Sequence, residues 1–62
     1  MELSELRIGS IYKARVSNKI TEVYILDFLH LKSGTTILAK NLITKREVYF
    51  KDASKILEFV RR

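Results

Sequence analysis

The chain has no cysteine, no proline and no tryptophan, and only one histidine and two glycines among 62 residues. Without cysteine there is neither a disulfide framework nor a thiolate-bound metal. His30 leaves at most one imidazole for metal ligation, and no second histidine or matched carboxylate pair completes a nucleophile–base arrangement. Asp27 and Asp52 read instead as a strand-end residue and a helix cap, and His30 as a loop or edge-strand residue. Gly9 and Gly34 stand alone, so no Gly-rich loop is present to cradle a phosphate. No apolar run approaches the roughly 20 residues that a membrane span needs. The opening segment Met1–Leu6 is acidic and mixed, unlike a secretory leader. Linkers, low-complexity stretches and internal repeats are also missing. The expectation is a soluble, cytoplasmic, non-catalytic protein with no cofactor, no metal and no membrane partner.

What is present is apolar side chain and positive charge. Hydrophobic residues make up 47% of the chain, too many for a disordered tail. The length allows one domain spanning residues 1–62, with a core that buries only about 60% of the surface the unfolded chain exposes. The net charge of +5 is unevenly placed. Through Leu31, Arg7, Lys13, Arg15 and Lys19 are cancelled by Glu2, Glu5, Glu22 and Asp27. The whole excess falls in the second half, where Glu47, Asp52 and Glu58 only partly offset the lysines and arginines. A basic half suits a polyanion or an acidic protein surface, although lysine also serves solubility alone.

Alternation dominates the pattern. From Ser10 to Ser17, Tyr12, Ala14 and Val16 share one side while Lys13, Arg15 and Ser17 share the other, as in a half-buried strand. Asn18-Lys19 reads as a two-residue hairpin turn, because Asn tolerates the left-handed conformation. A second strand starts at Ile20, with Val23 and Ile25 inward and Glu22 and Tyr24 outward. Its alternation fails from Leu26 to Leu31, which predicts a bulge or kink where a long strand changes its buried face. Lys32-Ser33-Gly34 forms the next turn, with Gly34 supplying positive φ. Thr36 to Leu42 is a third strand whose inward face the alternation leaves open. Ile43-Thr44-Lys45-Arg46 turns the chain, and Glu47 to Lys51 follows with Val48 and Phe50 in and Tyr49 and Lys51 out. Asp52 caps a short helical turn through Ala53 and Ser54. Residues 56–60 are either a closing strand or more helix, since Ala53, Ile56, Leu57 and Val60 also share a helical face. A fifth strand covers edges that a small β-rich chain would otherwise expose. Val16, Val23, Ile25, Val48, Phe50 and Ile56 are the expected core.

Two resemblances follow from these residues. Asn41-Leu42-x-Thr44-x-Arg46-x-Val48 with Lys51-x-Ala53, preceded by Ile8-Gly9-x-Ile11-Tyr12-x-Ala14-x-Val16 and Val23-x-Ile25, resembles short bacterial and phage proteins with SH3-like barrels. That resemblance implies an all-β fold, a small five-stranded SH3-like barrel with a short 3-10 turn before the last strand. It implies little about activity. Those proteins often carry glycine where this chain has Lys45, and an aromatic such as tryptophan near Ile37. The run Val48–Ile56 is similar in cadence to Sm-like RNA-binding barrels, without the glycines of their second strand.

If the alternation holds, Lys13, Arg15, Tyr24, Arg46, Tyr49 and Lys51 point away from the core. Tyrosines among basic side chains can stack bases while neutralising phosphates, so these six are the candidate nucleic-acid-binding residues for RNA or single-stranded DNA. Tyrosine is equally at home as a cross-strand pair on any sheet. The alternative is a protein-interaction module or a self-assembling homo-oligomer that uses a groove or a free strand edge.

Overall fold

The computed structural model describes every residue from Met1 to Arg62. Alternation places Tyr12 and Ala14 of β1 (Ile11–Val16) in the core and leaves Lys13 and Arg15 exposed. The hairpin turn is Ser17-Asn18, one residue earlier than expected, because both have positive φ (51° and 65°) and Val16 pairs directly with Lys19. Positive φ at both central residues is the turn whose twist matches that of the flanking strands. β2 (Lys19–Leu31) is the longest strand. Its ladder with β3 (Gly34–Asn41) jumps between Ile25 and Asp27, so Leu26 is the extra, bulged residue. This is the bend that the broken alternation predicts. Asp27 therefore sits in mid-strand beside the bulge and not at a strand end, and its Oδ1 accepts from the Phe28 amide at 2.8 Å. His30 lies near the end of β2, exposed and opposite Thr35.

β4 (Glu47–Phe50) pairs with β3, and β5 (Ile56–Arg61) pairs with β1, giving the antiparallel order β4-β3-β2-β1-β5. Asp52 caps a 3-10 turn over Ala53–Lys55 by accepting from the Ser54 amide at 2.9 Å, and the chain continues as strand rather than helix. The protein is all-β, with five antiparallel strands in one sheet. That sheet is open: no ladder joins β4 to β5, and both remain free edges. No helix is long and apolar enough to cross a membrane.

The core comprises Leu6, Tyr12, Ala14, Val23, Ile25, Ile37, Ala39, Phe50 and Ile56. Val16 and Val48, expected inside, are partly buried against it, because each flanks an open hollow at the sheet's end. The inward face of β3 is Ile37, Ala39 and Asn41, while Leu38, and Leu42 just beyond the strand, are only half-buried. Buried Tyr12 keeps its hydroxyl satisfied, accepting from the Arg7 amide at 2.9 Å and donating to the Glu5 carbonyl at 3.4 Å. A second 3-10 turn, Leu3–Glu5, precedes β1, with the Glu2 amide donating to the Glu5 carboxylate at 2.9 Å.

Candidate nucleic-acid interface

Outward alternation on β1 exposes Arg15, and the same alternation on β4 exposes Tyr49, opposite Leu38 of β3. Tyr49 is 61% exposed, a large ring left in solvent. Phe50 anchors β4 inward, Lys51 follows it directly, and the capped turn then brings Lys55 around. The curl of the sheet brings the β1–β2 turn opposite these residues across a cleft of about 460 Å³. Arg15, Asn18, Tyr49, Lys51, Asp52 and Lys55 all line it. Three cations thus face one carboxylate, and that carboxylate is engaged in capping Ser54.

The six candidate residues divide evenly. Arg15, Tyr49 and Lys51 share the cleft, whereas Lys13, Tyr24 and Arg46 lie outside it. Lys13 stands on β1 between Glu22 of β2 and Glu58 of β5, and its ammonium pairs with Glu58 at 3.1 Å. Arg61 pairs with Glu22 at 3.2 Å, which leaves this outer patch neutralised internally. Neither ion pair of the fold involves a cleft residue. Tyr24 is half-buried in the row Arg61–Ile11–Tyr24–Lys40–Glu47 that crosses all five strands. Gly9, at φ 87°, passes beneath it, and a Cβ there would lie 3.6 Å from the Tyr24 hydroxyl. Arg46 is exposed on the β3–β4 connection, in a neighbouring hollow with Ile43 and Thr44.

Lys55 is the cleft residue that alternation misses. Its signal is spacing, since it follows Lys51 by four residues across the Asp-capped turn, and a turn of that size returns it to the same side. The largest hollow, about 800 Å³, lies instead between the N-terminal segment and residues Lys51–Ser54. Glu2, Glu5 and Asp52 line it against a single lysine, the wrong sign for a polyanion. No three or more His, Asp or Glu side chains are placed so that they could hold one metal ion. The arrangement can hold an anion beside an aromatic ring. No protein-family model, curated protein or solved structure matches the chain, so a functional reading rests on this geometry.

Proposed function

We propose that the protein is a non-catalytic, SH3-like small-barrel module of the cytoplasm that binds single-stranded RNA or DNA with little sequence preference. The SH3-like reading is supported by β5 lying beside β1, by the bend in β2 and by the 3-10 turn before the last strand. The binding reading is carried by one observation, the cleft in which Arg15, Lys51 and Lys55 surround exposed Tyr49. Cations of that number neutralise successive phosphates, and a base stacked on the ring adds about 1–3 kcal/mol. The cleft offers no array of fixed donors and acceptors to read base edges, so affinity varies little with sequence.

The test is an NMR titration of labelled protein with short single-stranded oligonucleotides at low salt. Shifts concentrated at Arg15, Tyr49, Lys51 and Lys55 are expected. Absence of any shift, or shifts confined to the Lys13–Glu58 face, would overturn the reading. The free edges favour a second reading, in which β4 or β5 pairs with another copy of the chain. Exposed Leu57 and Phe59 on β5 add apolar area to such a pairing, and a concentration-dependent dimer by size exclusion would reveal it.

A further inference from the structure

Isoleucine is among the residues most often found inside proteins, yet Ile43 is 74% exposed and Ile20 is 52% exposed. They are not scattered. Ile43, on the β3–β4 connection, and Ile20, near the start of β2, line one hollow of about 350 Å³ with Thr21 and Leu42. A second hollow of about 400 Å³ adjoins it, lined by the same two isoleucines with Lys19 and Arg46. The connection is not loose. The Asn41 side-chain oxygen accepts from the Ile43 amide at 2.9 Å and the Thr44 amide at 3.3 Å, and the Asn41 carbonyl accepts from the Lys45 amide at 2.7 Å. Ile43 is thus presented in a fixed place, which lowers the ordering cost of binding.

Unpaired charge around the isoleucines is mostly positive. Glu22 is occupied by Arg61 and Lys13 by Glu58, while Lys19 and Arg46 have no carboxylate partner. Glu47 is the single uncompensated acid at the rim, and it sits opposite Lys40. We infer that this end of the sheet is a docking site for an acidic segment of another protein, one that inserts an aliphatic or aromatic side chain between Ile20 and Ile43. A second copy of the chain docked symmetrically would bring the same cations against this rim. A nucleic acid would gain nothing from isoleucine, which has no ring to stack, and the exposed Tyr49 belongs to the other cleft. A flat lipid surface would leave the hollows unfilled.

The test is panning of a random peptide-display library on the intact protein, with Ile43→Ser and Arg46→Glu as counter-screens. Enriched peptides carrying an apolar residue among aspartates or glutamates are expected. Their synthetic forms should bind Ile43→Ser about tenfold more weakly and leave Tyr49→Ala unaffected. Both counter-screen positions are exposed, and an unchanged thermal midpoint for either variant keeps the comparison valid. No enrichment, enrichment of basic peptides, or equal binding by Ile43→Ser overturns the inference. Phosphatidylserine vesicle binding that Ile43→Ser abolishes would assign the site to lipid. A dimer lost in that variant would assign it to self-association. Oligonucleotide binding through Arg15 and Tyr49 can succeed or fail independently of each of these results.

Discussion

Asn41 is 8% exposed, yet its one side-chain oxygen serves three donors: the Ile43 and Thr44 amides and the Thr21 hydroxyl at 3.4 Å. Leucine there would fill similar space and leave those groups unpaired, so Asn41→Leu is expected to cost about 1–3 kcal/mol in chemical denaturation. Lys45 sits at φ 64° with a Cβ that the left-handed region penalises. Lys45→Gly removes that strain against a smaller loss of chain entropy, and a gain of up to about 1 kcal/mol should appear as a higher thermal midpoint. Phe50 is the largest expected core residue on β4 and is buried. Phe50→Ala is expected to cost about 3–5 kcal/mol, enough to unfold a domain at the low end of natural stability, which circular dichroism would show. What could not be read at this scale was the part Asn41 plays. A polar residue at an inward position of an apolar strand looks like a change of face until its hydrogen-bond partners are known.

β2 shows how an element can be legible in kind but not in detail. Regular alternation through Ile25 and its failure afterwards located the bend, and Leu26 is the residue that makes it. Were Leu26 paired in regular register instead of bulged, every side chain from Asp27 to Leu31 would change faces, sending Phe28 outward and Asp27 inward. Deletion of Leu26 would keep Asp27 opposite Leu38 and Phe28 opposite Ile37 but remove the bend, so a cooperative transition at a lower thermal midpoint is expected, and a deletion variant that melts as the wild type does would show the bulge to be dispensable. β3 was legible as a strand but not by face, because its inner positions hold small Ala39 and polar Asn41 while Leu38 occupies an outer one. The Ser17-Asn18 turn was displaced by one residue for a related reason: Asn18 alone announces positive φ, and nothing in serine says that Ser17 shares it. β5 is the strand that edge coverage favours over the helical face also readable there, since its register with β1 satisfies a backbone edge that helix would leave open.

For the molecule as a whole, the sequence shows that its second half is basic but not which cations remain free. Lys13 and Arg15 are equivalent by alternation, yet ladder partners neutralise the first and a cleft receives the second. Lys55 enters the cleft only because the capped turn folds it back. The central claim is therefore that Arg15, Lys51 and Lys55 act together on a polyanion around Tyr49. The salt dependence of single-strand affinity tests it most directly. Three phosphate contacts predict that log affinity falls against log salt with a slope of about −2. Lys51→Ala should flatten the slope by about 0.7, Lys13→Ala should leave it unchanged, and Tyr49→Ala should weaken binding at every salt concentration without altering it. A slope near zero, or a Lys13→Ala effect as large as that of Lys51→Ala, would contradict the account.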